Sequence, residues 1–355
     1  MTYMFLKKFK KHKLAVFGAG ILFILYFCAV FADFISPYSY YIQNRDKSYH
    51  PPTKIHFFDK GGKFYIRPFI YGTSGEINSE TFQKSYIIND REKYFMHFFV
   101  KGEEHLFLGI FKANIHLFGV DGPAKIFIFG SDYLGRDIFT RILYGSRISL
   151  SIGLIGVFIS FIIGMIVGGI SGYFGGWVDN FIMRFCEIIM SFPHFYLLLA
   201  LRATFPPALS SVIIYILIII AMSFIEWAGM ARVVRGMVLS LREEEYVLGA
   251  RSIGASPWRI IYRHILPNTM SYAIISATLS IPGYILGESA LSLLSLGIME
   301  PQASWGNMLS VAKSVNVLTN FPWVLIPGMF IFIAIMAFNF LGDGLRDIFD
   351  PKLKY

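Results

Sequence analysis

Glu288 is the first candidate for chemistry because it lies deep in an apolar run, shortly after Pro282 and Gly283. A carboxylate at that depth is costly unless it faces water or has a partner. It could therefore line a cavity or belong to a buried structural pair, and the sequence favours neither. Glu226, nearer the end of another apolar run, is interpreted as a side chain that reaches the membrane surface.

A second candidate is a hydroxyl nucleophile with a distant base. Gly169-Ile170-Ser171-Gly172 matches the Gly-x-Ser-Gly pattern of intramembrane serine proteases, and His194 is the candidate base. The match is short and lies within a run of regularly spaced glycines, so chance explains it better. An intramembrane serine protease remains as a remote alternative, and it predicts proteolytic activity without ATP or partner proteins.

The composition disfavours the soluble classes of protein. Of 355 residues, 55% are hydrophobic and only 15% are charged, whereas a soluble domain has about 25% charged residues. A cytosolic enzyme, a disordered chain and a nucleic-acid-binding module are therefore not expected. Cys28 and Cys186 both lie in apolar runs, which argues against a disulfide scaffold or a cysteine zinc site. We predict no catalytic residues, no metal site and no nucleic-acid partner.

Six apolar runs are long enough to cross about 30 Å of hydrocarbon at about 1.5 Å per residue. They cover residues 14–32, 148–170, 181–201, 209–229, 270–298 and 323–341. The first run is too long for the core of a signal peptide, and no Ala-x-Ala site follows it, so we expect an uncleaved anchor. The prediction is an all-α polytopic membrane protein with six transmembrane helices.

Lysines and arginines set the predicted orientation. With six spans, three basic segments lie on the same side of the membrane. They are the segment before the first span, the connection between the fourth and fifth spans, and the tail with Arg346, Lys352 and Lys354. Short basic segments stay in the cytoplasm, so both termini are expected there. Three arginines before the second span disagree with this rule, because parity places them outside: Arg136, Arg141 and Arg147.

The connection between the first two spans is polar, aromatic-rich and extracytoplasmic by parity. It contains a predicted hairpin with the turn Gly61-Gly62, and because Pro68 soon breaks the alternation, any strand there is expected to be short. We expect a small module of β and loop. The predicted divisions are 1–35 for the N-terminus and first span, 36–146 for this insertion, 147–343 for the core of five spans with the cytoplasmic connection 232–268, and 344–355 for the cytoplasmic C-terminus.

A small residue occurs at every fourth position of the second span: Gly156, Ser160, Gly164, Gly168 and Gly172. One face of that helix therefore lacks bulky side chains, which lets another helix approach closely. The stripe predicts helix packing and not a ligand site.

The connection 232–268, which we call the 232–268 loop, has the signals of two short helices. Glu243-Glu244-Glu245 suits the first turn of a helix, where carboxylates favour the helix dipole. One face of that helix is predicted by i, i+3, i+4, i+7 spacing. It consists of Val247, Ala250, Arg251 and Gly254.

A bend separates the two predicted helices. Gly254 can adopt the left-handed conformation that ends a helix. Ser256 is a good N-cap and Pro257 a good first residue for the second helix, which we expect to stop at Pro267. Small residues around the bend would let a partner surface come close to the backbone: Gly249, Ala250, Gly254 and Ala255.

The 232–268 loop resembles the EAA loop of ABC importer permeases, whose pattern is Glu-Ala-Ala-x3-Gly-x9-Ile-x-Leu-Pro. The matching residues are Leu248-Gly249-Ala250-x3-Gly254, followed by His264-Ile265-Leu266-Pro267. The chain departs from the pattern at Leu248 and Gly249, which replace Glu and Ala, and at His264, which stands at the Ile position.

Further motifs resemble the peptide permeases, specifically the C-type subunit of oligopeptide and dipeptide importers. They occur in order over roughly residues 130–351: Gly130-Ser131-Asp132-x2-Gly135-Arg136-Asp137, Arg141-x5-Arg147-x-Ser149-Leu150, Gly172-Tyr173-Phe174-Gly175-Gly176-Trp177-x-Asp179, Gly287-Glu288-x2-Leu291-Ser292, Trp305-Gly306-x-Met308-Leu309 and Gly342-Asp343-Gly344-Leu345-Arg346-Asp347-x2-Asp350-Pro351.

This resemblance implies the type I ABC importer permease fold, in the bacterial inner membrane. The implied partners are a homologous second permease subunit, two cytoplasmic ATP-binding subunits, an extracytoplasmic solute-binding protein and membrane lipid. Peptides are the expected cargo, with nickel chelates or an antibiotic peptide as alternatives.

The resemblance also assigns roles to residues. Coupling to the ATPases is implied for Leu248, Gly249, Ala250, Gly254, Ala255 and Pro267, and Glu288 becomes a candidate for the translocation pathway. The sequence has no Gly-x4-Gly-Lys-Ser/Thr loop for phosphate. The chain is therefore not expected to be an enzyme or to bind a cofactor, and ATP and magnesium would belong to the partner subunits.

Overall fold

The computed structural model describes residues 2–77, 84–107, 110–206 and 209–349, with side chains from residue 7 onward. Six residues of the predicted C-terminal segment, 350–355, lie outside the described residues, and they include four that the sequence analysis named: Asp350, Pro351, Lys352 and Lys354.

The described residues are mostly helical, with one antiparallel sheet. The α-helices are α1 (Thr2–Lys11), α2 (Lys13–Val30), α3 (Ala32–Ile35), α4 (Ile138–Phe174), α5 (Gly176–Ser191), α6 (His194–Ala203), α7 (Ser211–Leu241), α8 (Glu245–Ser252), α9 (Pro257–Ile260), α10 (Leu266–Leu293), α11 (Trp305–Met308), α12 (Val315–Asn320) and α13 (Ile326–Phe349). The strands are β1 (His56–Phe58), β2 (Phe64–Ile77), β3 (Lys84–Phe107) and β4 (Phe111–Val120).

Five helices in the described part of the chain are long and apolar enough to cross a membrane, and a sixth span exists if the bent pair α5 and α6 counts as one. The predicted third span is therefore broken and not continuous, with a bend of 84°. The break lies at Phe192, whose backbone is extended (φ −85°, ψ 135°) because Pro193 follows it. A residue before proline avoids the helical conformation, which explains the bend.

The helix after the bend of the 232–268 loop does not stop at Pro267, contrary to the prediction. A π-helical turn, Ile261–Ile265, joins α9 to α10, and the N–H of Leu266 donates to the carbonyl of Ile261. This wider turn ends two residues before Pro267 and relieves the clash that a proline ring makes with the preceding turn of a regular α-helix. Pro282 lies inside α10, which also continues through it.

The chain forms two compact units, and the predicted insertion 36–146 falls within the second. The first consists of Met1–Phe23, Leu150–Leu291 and Phe332–Tyr355, and the second of Ile24–Ser149 and Ser292–Ile331. The second unit therefore includes the segment between the fifth and sixth spans, which the sequence did not associate with the insertion.

The sheet in the second unit has the order β1-β2-β3-β4. The predicted hairpin is present: Phe58 pairs with Phe64, and Gly62 adopts a φ of +79° in the turn. The expectation of a short strand is wrong, since β2 has 14 residues. The register between β1 and β2 shifts between His56 and Phe58, and this irregularity accommodates Pro68, which cannot donate to the ladder.

Two of the three arginines that parity placed outside are buried in an ion-pair network of the second unit. The side chain of Arg136 is 3% exposed, and its Nη2 donates to Glu300 Oε1 at 2.9 Å. Arg141 Nη2 donates to the same oxygen at 3.0 Å. Asp132 Oδ2 accepts from Arg136 Nε at 2.7 Å. The guanidinium groups of Arg136 and Arg141 are thus paired with carboxylates in the folded unit.

Asp137 of the same motif caps the start of α4. Its Oδ2 accepts from the backbone N–H and the hydroxyl of Thr140, at 2.9 and 2.7 Å. Burial raises the pKa of this carboxyl to about 7, while the bonds from Thr140 favour its ionised form. Asp132 and Asp137 thus each bind a residue three or four positions later in the chain.

Candidate functional site

The bend of the 232–268 loop is built by a glycine in the left-handed conformation. Gly254 has a φ of +77°. Its N–H donates to the carbonyl of Arg251 at 3.0 Å, and that of Ala255 donates to Ala250 at 3.1 Å. This pair of bonds is the Schellman ending of a helix, which satisfies the last carbonyls of α8.

The second short helix starts as its capping residues predict. Ser256 Oγ accepts from the N–H of Arg259 at 3.4 Å, and Pro257 occupies the first helical turn. The start of α8 differs slightly from the prediction, because Glu244 is the N-cap residue and only Glu245 lies in the first turn.

One face of α8 packs against the base of the loop. Val247 and Ala250 are buried in a cluster with Ile260, Ile261 and Ile265. Arg251, which the spacing placed on the same face, is exposed, and its guanidinium lies 5.5 Å from the ring of Tyr173. The buried face therefore fixes the position of α8 relative to the start of α10.

Several apolar side chains around the bend are exposed. Leu248, Ile253 and Trp258 are exposed, and Ile253 reaches 85%. A Cβ placed on Gly249 or Gly254 would meet nothing within 4 Å. The bend therefore exposes apolar side chains beside a backbone that a partner can approach closely, which suits a docking site.

Sequence reasoning missed Ile253 as a member of this surface. Ile253 lies just before Gly254 and outside the i, i+3, i+4 spacing of the buried face. The available signal was therefore an apolar residue that the spacing does not bury, next to a glycine that ends a helix. Leu248, Gly249, Gly254 and Pro267 are exposed as a docking role requires, whereas Ala250 is buried and Ala255 is half-buried.

The loop is tied to the span that follows it. Asn268 Nδ2 donates to the hydroxyl of Tyr246 at 3.1 Å and to the carbonyl of His264 at 2.7 Å. The bond to Tyr246 joins the first turn of α10 to the start of α8, and the bond to His264 joins it to the π-helical turn.

The small-residue stripe of α4 lies against α7. A Cβ on Gly164 would lie 2.5 Å from Met230 Cγ, and one on Gly168 would lie 2.5 Å from the carbonyl oxygen of Ala231. A Cβ on Gly172 would lie 2.7 Å from Val238 Cβ. The glycines thus permit close packing of the two helices, while Gly156 accommodates the ring of Tyr284 from α10.

A buried carboxylate joins three helices beside this stripe. Asp179 accepts from Ser171 Oγ at 2.5 Å and from Arg235 Nε at 2.9 Å. Ser171 is therefore bonded to the Asp179 carboxylate and not to His194, the candidate base. His194 Nδ1 instead lies 3.0 Å from Glu226 Oε1. These separate partners remove the support for a Ser171–His194 protease site.

A cavity of about 190 Å³ lies among α4, α7 and α10. Its polar lining consists of Ser160, Glu226, Ser276, Ser280 and Tyr284. Within it, Ser160 and Tyr284 share a hydrogen bond of 2.5 Å.

Glu288 is not among the residues that line this cavity. It is 0% exposed, and Ser289 Oγ donates to its Oε2 at 3.4 Å. Glu226, interpreted from the sequence as a surface-reaching side chain, is the carboxylate at the cavity. Within the described ranges, no group of three His, Cys, Asp or Glu side chains is placed to hold a metal ion.

Two family models match the chain. The one described as binding-protein-dependent transport system inner membrane component matches residues 138–355. The one described as the N-terminal TM domain of oligopeptide transport permease C matches residues 1–52. The sheet lies between these two matches.

Individual proteins are similar over about two thirds of this chain. The dipeptide transport system permease protein DppC of Bacillus subtilis is 43% identical over 233 residues, covering 65% of this chain and 71% of that protein. The oligopeptide transport system permease protein OppC of Haemophilus influenzae is 45% identical over 225 residues, covering 63% and 70%. The glutathione transport system permease protein GsiD of Pectobacterium atrosepticum is 41% identical over 235 residues, covering 66% and 75%.

Proposed function

The chain belongs to the family of binding-protein-dependent transport system inner membrane components, and on that premise we propose how it works as one permease subunit of an ATP-driven peptide importer. A homologous second permease completes the pathway. Two cytoplasmic ATP-binding subunits supply the energy and hold the ATP and magnesium. A solute-binding protein delivers the cargo outside.

The observation that carries the proposal is the exposed apolar bend at Ile253 and Gly254. We assign it as the surface that docks into an ATP-binding subunit. A protruding side chain beside a backbone without Cβ atoms fits a concave partner surface, and such anchors dominate binding energy.

Coupling follows from the contacts of the loop. When the ATP-binding subunits close, they displace α8, which is packed on the base of the loop through Val247 and Ala250. The Asn268–Tyr246 bond passes this displacement to α10. Because packed helices shift as rigid elements, a small movement at the bend changes how the spans enclose the pathway.

Peptides are the proposed cargo because similar proteins are named dipeptide, oligopeptide and glutathione permeases. Nickel chelates and an antibiotic peptide remain the alternatives. Purification of the intact complex, followed by identification of the co-purified subunits and of the ligand on the binding protein, tests both partners and cargo. A complex without ATP-binding subunits would contradict the proposal.

The polar cavity is a candidate for part of the translocation pathway. Glu226 lines this cavity and Glu288 does not, so Glu226 is the carboxylate proposed to face the cargo. Glu226→Gln and Glu288→Gln remove one charge each and keep the shape. We expect at least a fivefold loss of uptake from Glu226→Gln, because a carboxylate facing a cavity can meet a charged end of a peptide. Peptide uptake in proteoliposomes, normalised to ATP hydrolysis, measures the effect.

The paired variant decides between the two carboxylates. If Glu288→Gln alone abolishes uptake while assembly is intact, the pathway runs by Glu288 and the assignment of Glu226 is wrong. Wild-type uptake by Glu288→Gln would make Glu288 a buried structural residue.

The orientation is proposed from the basic segments, with both termini in the cytoplasm. Lys60 and Glu244 are exposed, so single cysteines at these positions will be accessible from one side each. In a background without Cys28 and Cys186, an impermeant thiol reagent added to intact cells should label Lys60→Cys and not Glu244→Cys. Labelling only at position 244 would reverse the orientation.

A further inference from the structure

One end of the β3–β4 hairpin carries an apolar cluster that the proposed transport function does not use. Leu106, Ile110 and Phe111 are exposed, and Ile110 reaches 72%. Phe107 pairs with Phe111 in the strand register, and the N–H of Ile110 donates to the carbonyl of Phe107 at 3.1 Å. Turns of soluble hairpins favour small polar residues, so this cluster indicates an interaction surface.

The hairpin packs on the outer end of the first span, within the same compact unit. The ring of Phe107 lies 5.9 Å from that of Phe31, the residue after α2. The ring of Phe99 lies 6.1 Å from that of Phe34 in α3. The apolar cluster is therefore held beside the end of a transmembrane helix.

The contacts of a charged side chain, Arg147, indicate where the end of α2 lies relative to the lipid headgroups. Arg147 Nε donates to the carbonyl of Ala29 at 2.7 Å, and its Nη2 donates to Val30 at 3.0 Å and to Asp33 Oδ2 at 2.8 Å. These bonds satisfy the last carbonyls of the helix, which lipid cannot do. An ion pair of this kind at the end of a span lies at the headgroup level, and the hairpin end lies beside it.

Apolar surface continues from the span to the hairpin. Phe27 of α2 is exposed, and its ring lies 4.5 Å from that of Phe31, which in turn contacts Phe107. Lys112, exposed beside Phe111, can extend its ammonium group to lipid phosphates while its aliphatic stem lies on apolar surface. The chemistry of the cluster matches the boundary between headgroups and acyl chains.

We propose that Leu106, Phe107, Ile110 and Phe111 insert into the outer-leaflet interface of the bilayer beside the first span. The partner of this surface is lipid. The sheet module between the first two spans is thereby held at the membrane by the hairpin end as well as by its covalent links to those spans.

Spin labels on the intact, reconstituted complex test the proposal. Ile110→Cys and Phe111→Cys are made in the background without Cys28 and Cys186, and each is labelled with a nitroxide in phosphatidylcholine vesicles. The matched control is Ile77→Cys, an apolar residue that is 65% exposed and pairs with Lys84 at the opposite end of β3. Frequent collisions of the nitroxide with oxygen indicate that the label lies in lipid, and frequent collisions with a neutral nickel chelate indicate that it lies in water.

We expect the ratio of oxygen to nickel collisions to be several-fold higher at positions 110 and 111 than at position 77. A ratio at 110 and 111 equal to that at 77 would place the hairpin end in water and overturn the proposal. Low collision rates with both reagents would place it under a protein partner, such as the second permease or the binding protein, and would overturn it equally.

Discussion

Gly254→Phe is expected to lower peptide uptake to less than a tenth of the wild-type rate while the permease still inserts and assembles its spans. The structure gives two reasons. Gly254 has a φ of +77°, and a residue with a Cβ in this left-handed conformation is less stable than glycine by about 1–2 kcal/mol. The new ring also projects into open space at the bend, where the partner must approach, and loss of a docking contact costs about 2 kcal/mol or more.

The control for this variant is Gly254→Asn, because asparagine tolerates the left-handed conformation and is small. We expect it to retain most uptake. Rates of uptake and of ATP hydrolysis are measured together in proteoliposomes, so that loss of coupling is distinguished from loss of protein. Normal transport by Gly254→Phe would mean that this bend is not the coupling element.

Gly168→Leu is expected to have the largest effect on stability. A Cβ at this position would lie 2.5 Å from the carbonyl oxygen of Ala231 and 2.9 Å from Val234 Cβ. Both are parts of the neighbouring helix α7, so α4 and α7 must separate to admit any side chain. Overpacking of this kind costs about 3 kcal/mol, and thermal unfolding of the detergent-solubilised permease measures the loss.

The matched control is Gly20→Leu, in α2, where a Cβ would meet nothing within 4 Å. It makes the same chemical change in another apolar helix and should leave the unfolding temperature nearly unchanged. Equal unfolding temperatures for Gly168→Leu and Gly20→Leu would refute the close approach of α4 and α7.

Local signals predicted the bend of the 232–268 loop well. Gly254, Ser256 and Pro257 act through their own backbone or the next turn of helix, so their effect can be derived without knowing the rest of the fold. The apolar runs likewise predicted the spans, because their length is set by the thickness of the bilayer.

Two prolines were predicted less well, because their effect depends on the backbone before them. Pro193 ends α5 and bends the third span, which the apolar run around it concealed. Pro267 does not end a helix, because a π-helical turn precedes it. Hydropathy measures how apolar a run is and carries no information about such turns.

Distant pairs were invisible to sequence reasoning for a different reason. The pairing of Arg136 and Arg141 with Glu300 could not be predicted, because Glu300 lies far away along the chain. Glu226 was read as a surface residue because neither the cavity nor His194 could be placed beside it. Contacts between residues that are far apart in the sequence can be identified only when the fold is known.

The most direct test of the account is crosslinking from Ile253, the most prominent residue of the bend. A photoreactive amino acid at position 253 is introduced into the intact complex in its native membrane, and the captured protein is identified by mass spectrometry. We predict capture of an ATP-binding subunit, because the side chain of Ile253 is 85% exposed on the proposed docking surface. Capture of the extracytoplasmic binding protein, or no capture of an ATP-binding subunit, would contradict the account.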